Sequence, residues 1–176
     1  MIQLNFGSYK EYDMNNRFFN INLAGGALLD IGVYALSLMR SFMAETPDQV
    51  MSQVRFAPTG TDEQASIILM NKEQQMAAIT LSMHSKQPKR AMISCEKGYI
   101  EIMEYPRADK AIIVDAASGA VTPVEAGETK RALEYEMRDM EEAVQSGDVS
   151  RMQMPFTRDV MNIMTDLRKN WGLVYP

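Results

Sequence analysis

The sequence predicts an α+β fold in which helices pack on one face of a mostly antiparallel sheet. A glycine-led apolar helix stands near the start, six short strand-like segments fill the middle, and two amphipathic helices close the chain. The links between the six segments are too short for parallel crossovers, which need about a dozen residues or more, so the segments must pair mostly antiparallel.

The elements follow in order. Ile2-Gln3-Leu4-Asn5-Phe6-Gly7 alternates apolar and polar residues and reads as a strand. An irregular polar stretch runs through Arg17, then Phe18-Phe19-Asn20 leads into Ala24-Gly25-Gly26-Ala27-Leu28-Leu29-Asp30. Two glycines permit a tight turn with positive φ, and apolar residues at helical spacing follow from Leu28 to Met43. That helix should stop near Ala44, because the Thr46-Pro47 pair disfavours continuation.

Strands are expected at Val50 to Phe56, Ala65 to Met70, Met76 to Met83, Ala91 to Cys95, Tyr99 to Met103 and Ala111 to Val114. Turn signals such as Pro58-Thr59-Gly60, Lys97-Gly98 and Ser118-Gly119 separate them. Leu133, Met137, Met140 and Val144 then form an apolar helical stripe ended by Gly147. Pro155 and Thr157 open a last helix carrying Val160, Ile163, Met164, Leu167 and Trp171, closed by Gly172. All three helices are expected on one sheet face.

Length and charge narrow the function. The 176 residues suit a single domain, 1–176, able to bury a real core. A net charge of -5 and a pI near 5.0 exclude a nucleic-acid or anionic-membrane partner that needs a basic patch. No wholly apolar stretch reaches the ~18 residues of a membrane span, and the start lacks a basic-then-apolar signal. A single cysteine, unable to pair within the chain, leads to an expected reducing, cytoplasmic setting. The single Cys95 lies in a strand-like stretch and reads as a buried, inert thiol. Sixteen methionines suit an adaptable core or contact surface better than a metal site.

Several chemistries are missing. One histidine and one cysteine cannot make a zinc site, so no metal is expected. Gly25-Gly26 is not followed by Gly-Lys-Ser/Thr, and no Gly-x-Gly-x-x-Gly follows a strand. What remains is Asp30 early in the glycine-led helix and Tyr34 one turn later on the same face. The helix macrodipole favours a negative charge at the first, and the second is a phenol able to carry a proton. Together they are half of a proton-transfer site. The bland alternative is a first-turn aspartate that steadies its helix beside an ordinary core tyrosine.

The segment from Arg17-Phe18-Phe19-Asn20 through Gly25-Gly26-Ala27-Leu28-Leu29-Asp30-Ile31-Gly32-Val33-Tyr34 resembles the signature of the glucose–fructose oxidoreductase/inositol dehydrogenase (Gfo/Idh/MocA) family. The likeness extends to Thr59-Gly60-Thr61-Asp62-Glu63, Lys97-Gly98-Tyr99-Ile100 and Met154-Pro155-Phe156, and so covers the chain, but only the family's C-terminal domain. The resemblance implies a large open sheet like that of the glyceraldehyde-3-phosphate dehydrogenase C-terminal domain. It also implies an N-terminal Rossmann domain, absent from this chain, that binds NAD or NADP. Asp30 matches the motif aspartate and Tyr34 its His/Tyr position, making both catalytic; the tyrosine variant is similar to the dihydrodiol-, xylose- and glucose–fructose-type branch. Ala24 stands where the motif has its first glycine.

The family's catalytic lysine, in a Glu-Lys-Pro motif, has no counterpart; Glu96-Lys97-Gly98 lacks the proline and reads as a structural turn. The implied function is the substrate-binding and dimerisation domain of an NAD(P)-dependent dehydrogenase acting on sugars, polyols or dihydrodiols. Alone, the chain is expected to be inactive and to bind no nucleotide, whether it is a fragment or a shortened gene product. A stand-alone, non-catalytic binding or assembly module is the alternative. Strands apolar on both faces, such as Ala65-Ser66-Ile67-Ile68-Leu69-Met70, lead to an expected homodimer through the uncovered sheet face.

Overall fold

The first strand of the chain, β1 (Ile2–Gly7), lies in the middle of the sheet. In the computed structural model, which describes residues 1–176, seven more strands flank it. They are β2 (Gln49–Phe56), β3 (Asp62–Met70), β4 (Met76–Ser82), β5 (Gln87–Cys95), β6 (Gly98–Met103), β7 (Lys110–Asp115) and β8 (Val121–Glu125). The order is β2-β3-β4-β1-β5-β6-β7-β8, and every neighbouring pair is antiparallel except β1 with β4. Consecutive short links produce the two antiparallel flanks; β1 joins them.

Strand alternation sorts the side chains. Ile2, Leu4 and Phe6 share one face with Ala65, Ile67 and Leu69 of β3, Ala77, Ile79 and Leu81 of β4, and Ala91 and Ile93 of β5, all buried. Two helices cover that face. The glycine-led helix starts as a π-helical turn, Leu28–Gly32, and continues as α1 (Val33–Phe42). It contributes Leu28, Ile31, Ala35, Leu36 and Met39 to the core, and α3 (Met154–Trp171) contributes Val160, Ile163, Met164 and Leu167. Each large aliphatic side chain so buried stabilises the fold by about 1.5–3 kcal/mol relative to exposure. Arg40 Nε donates to Asp159 Oδ2 at 2.8 Å, tying α1 to α3, and Trp171 Nε1 donates to Ser52 Oγ at 2.9 Å, tying α3 to β2.

Four expectations are corrected. The stripe Leu133, Met137, Met140 and Val144 lies on α2 (Ala132–Ser146), yet only Ala143 of this helix is buried and Val144 is 77% exposed. Two helices, not three, therefore pack on the sheet. Strand β8 was not expected; its Pro123 is tolerated because an edge strand has a row of amides with no partner to lose. β5 begins at Gln87 rather than Ala91, with Pro88 accommodated at a register shift opposite Asn5 and Gly7. Cys95 is exposed at the end of β5, not buried. The helical stretch Ile21–Phe42 is also long and apolar enough by composition to cross a membrane, and in this fold Leu28, Ile31, Ala35, Leu36 and Met39 of it lie in the core.

Candidate active site

The chain crosses itself at the start of the glycine-led helix, and this crossing sets the site. Asn20 caps a short 3-10 turn, Ile21–Leu23, by accepting from the amide of Asn22 at 2.9 Å. Ala24 then takes a left-handed conformation, with φ 53°. Gly25 passes so close to the backbone of Arg17 and Phe18 that a Cβ there would collide with both carbonyl oxygens. Gly26 adopts φ 126°, a value that side chains rarely allow. Of the two motif glycines, then, one is required by close approach and only the other by positive φ.

After Ala27, the five residues Leu28–Gly32 form the π turn, a feature frequent at functional sites. Asp30 lies within it, and Tyr34 follows in the first turn of α1. Both line one cleft of about 780 Å³. The Asp30 side chain is 21% exposed and Tyr34 is 43% exposed, so neither is sealed in the core. The bland alternative of a core tyrosine fails on this point. The Tyr34 ring rests against the Phe6 ring, with centroids 6.1 Å apart, and Phe6 in turn meets Tyr105 edge-on. The end of β1 thus supports the phenol from below.

Arg17 supplies a group the sequence reading passed over. Its Nη1 donates to Asp30 Oδ1 at 2.7 Å, and its guanidinium stacks on the Phe18 ring at 4.2 Å. The cue was available: Arg17 opens the quoted motif, but the twelve intervening residues, with a 3-10 turn and the glycine pair among them, hide its return to Asp30. Lys89, Glu104, Arg107 and Lys110 line the far wall of the cleft, with Lys89 Nζ 2.8 Å from Glu104 Oε2. Apolar floor and charged rim together suit a small polar ligand. Glu96-Lys97 is the two-residue turn between β5 and β6, where Gly98 takes φ 152°.

Helix N-termini commonly bind phosphate, so the glycine-led start is the natural place to test for a dinucleotide. It does not fit one. The amide of Leu28 already donates to Asp62 Oδ2 at 2.6 Å, and Gly25, Gly26 and Ala27 are all buried. The internal carboxylate occupies the position a phosphate would take.

A family model described as the GFO/IDH/MocA C-terminal domain matches residues 1–101, more than half of the chain. The chain belongs to the GFO/IDH/MocA family. Curated relatives are trans-1,2-dihydrobenzene-1,2-diol dehydrogenases. The Danio rerio protein is 26% identical over 163 residues and the Xenopus tropicalis protein 27% identical over 165. In both cases the match covers 88% of this chain, and 48% and 49% of the relative, respectively. The chain therefore spans about half the length of these relatives. KijD10, a 3-ketoreductase from Actinomadura kijaniata in complex with NADP and TDP-benzene, superposes with a TM-score of 0.80 at 15% identity. That match covers 96% of this chain and 52% of the other. Aldose-aldose oxidoreductase from Caulobacter crescentus, complexed with glycerol, gives 0.71 at 20% identity, covering 92% and 53%. At these identities the solved structures establish the fold: a C-terminal domain of GFO/IDH/MocA architecture.

Proposed function

We propose that this chain is the substrate-binding half of an NAD(P)-dependent oxidoreductase acting on CH–OH groups of sugars, polyols or dihydrodiols. The observation that carries the proposal is that Asp30 and Tyr34 open from one glycine-led helix into a single cleft. Oxidation of a carbinol requires the hydroxyl proton to leave as the hydride departs from carbon. The Tyr34 phenolate oxygen takes that proton and becomes the hydroxyl, which returns the proton in the reverse direction. A free tyrosine has a pKa of about 10, so it needs a neighbouring cation to act near neutrality. Asp30, held by Arg17, orients the substrate hydroxyl. No residue of this chain holds the nucleotide, which belongs to the half of the relatives' length that the chain does not span.

Support for the substrate class comes from the cleft and the relatives' names. Phe6 and Ile31 offer an apolar floor to the face of a small ring, while Lys89, Glu104 and Asp109 offer hydrogen bonds at the rim. The test is an enzyme assembled by joining this chain to the nucleotide-binding half of a dihydrodiol dehydrogenase. Tyr34→Phe should lower its turnover by on the order of 10²-fold or more, the usual worth of a general acid or base. Undiminished turnover would remove Tyr34 from the chemistry. Calorimetry should find no micromolar NADP binding to this chain alone; such binding would reveal a nucleotide site here.

We also propose a homodimer through the sheet face that the helices leave uncovered. Met51, Ile68, Ala78, Gln3, Met92, Glu101, Ile112 and Pro123 form one cross-strand row on that face, and Met51 is 71% exposed. Monomers rarely leave such apolar surface in water. Light scattering at micromolar concentration should give a dimer mass that Ile68→Lys halves, whereas a monomeric native chain would refute the contact.

A further inference from the structure

Asp62 stands at the edge of β3 where strand alternation predicts the wrong side of the sheet. Gln64, Ser66 and Ile68 point to the uncovered face, and residue 62 would follow them in an unbroken strand. The register instead shifts between Arg55 and Phe56: Arg55 pairs with Gln64, but Phe56 pairs with Asp62, leaving Glu63 as an extra residue. This bulge turns Asp62 onto the helix side. Bulges next to active sites often re-aim one side chain in this way.

The re-aimed carboxylate is fully buried and meets the start of the glycine-led helix. Its Oδ2 accepts from Leu28 N at 2.6 Å. Its Oδ1 has no hydrogen-bond partner and packs against Gly26, where a Cβ would overlap it. From the other side, the Tyr175 hydroxyl donates to the Gly25 carbonyl at 2.9 Å, and Arg168 of α3 lies over the Tyr175 ring at 5.4 Å. Strand β3, helix α3 and the segment after it thus converge on Gly25 and Gly26, the two glycines of the motif.

We propose that Asp62 is a positioning residue: through the Leu28 amide and its contact with Gly26 it fixes the π turn, and so sets where Asp30 and Tyr34 stand in the cleft. The role depends on Asp30 and Tyr34 being the reacting pair proposed above. Asp62 reaches no substrate itself. Burial pushes its carboxyl up to about 7, opposed by the amides of Leu28, Asp62 and Ala27 and by the Arg168 charge. The groups facing it are Arg168 and Tyr175, whose own hydroxyl burial pushes up to about 12. The strength of its hold on the turn therefore changes near neutral pH.

The experiment is NMR on this chain, with labelled backbone amides and tyrosine rings, titrated from pH 5 to pH 9 (roughly centred on the carboxyl). The Leu28 amide and the Tyr34 ring should shift together with one midpoint, and Asp62→Asn should abolish both movements. A Leu28 titration with a motionless Tyr34 would make Asp62 a helix cap without reach into the site, and overturn the proposal. So would a titration that survives in Asp62→Asn. If that variant does not fold, the native chain still decides: different midpoints for Leu28 and Tyr34 refute the linkage. In the assembled enzyme, Asp62→Asn should lower kcat by up to about 10²-fold, as a misplacement of about 1 Å can, with KM little changed and the neutral-range inflection of the pH profile lost. Should Tyr34→Phe leave turnover intact while Leu28 and Tyr34 still titrate together, the catalytic assignment fails and the positioning linkage stands.

Discussion

Arg17 and Asp30, thirteen residues apart in sequence, form an ion pair of 2.7 Å at the mouth of the cleft. The pair joins the irregular polar stretch to the π turn, so the segment before the glycines is part of the site and not merely a connection to it. Arg17 is 63% exposed, which limits what the pair contributes to stability. Arg17→Gln should therefore change unfolding free energy by no more than ~0.5 kcal/mol. In the assembled enzyme it should lower kcat/KM about tenfold, equivalent to ~1.4 kcal/mol of transition-state stabilisation. Denaturant unfolding and steady-state kinetics on the same variant separate the two effects.

The buried carboxyl of Asp62 makes stability depend on pH. Its folded value, about 7, lies above the ordinary unfolded value near 3.9. Between these values the native chain keeps a proton that the unfolded chain releases. This group's contribution is thus fully present below about pH 4 and declines as pH rises to about 7. Asp62→Asn should remove that slope, so the stability difference between variant and native chain should move in the variant's favour by on the order of 2–4 kcal/mol across the window. Urea unfolding at several pH values measures it; parallel curves would show that Asp62 does not titrate there.

Ala24 and Gly26 should respond in opposite directions. Ala24 holds a left-handed conformation that costs a side-chain-bearing residue energy, so Ala24→Gly should stabilise the fold by ~0.5–1 kcal/mol. Gly26→Ala forces both an unfavourable φ and displacement of Asp62, and should destabilise it by at least ~2 kcal/mol. Thermal melts of the two variants give the comparison.

Two methionines test the packing. Met39 is fully buried between helix and sheet, so Met39→Ala should cost about 2–5 kcal/mol. Met137 on α2 is 70% exposed, and Met137→Ala should stay within ~0.5 kcal/mol. A large loss at Met137 would mean that α2 packs on something in solution.

Hydrophobic periodicity carried much of the fold into the sequence. The alternation in Ile2, Leu4 and Phe6 and the helical spacing from Leu28 to Met43 each led to the right element, because burial on one face is what both patterns record. Where burial was absent, periodicity missed one strand and, at α2, found the helix but misjudged its packing. Every residue of β8 is exposed, and the apolar stripe of α2 has no partner within the chain. Asp30 and Tyr34 were legible because one helix carries both at neighbouring turns. Arg17 and Asp62 were not, since each reaches the site through tertiary structure: one by a looping segment, the other by a bulge that alternation cannot anticipate.

β1 leaves the ribosome before either of its neighbours in the sheet exists. Its partners β4 and β5 begin at Met76 and Gln87, so about seventy residues separate it from the first edge it can join. Until then, β2 to β4 can zip by local hairpins on one side, and β5 to β8 on the other, as two small ladders with no shared backbone bonds. β1 bonds to both ladders and so makes them one sheet, and the same strand carries Phe6 under Tyr34. A chain whose β1 is unpaired would lack both the closed ladder and the ring beneath Tyr34, and would expose the edges of β4 and β5 to other chains.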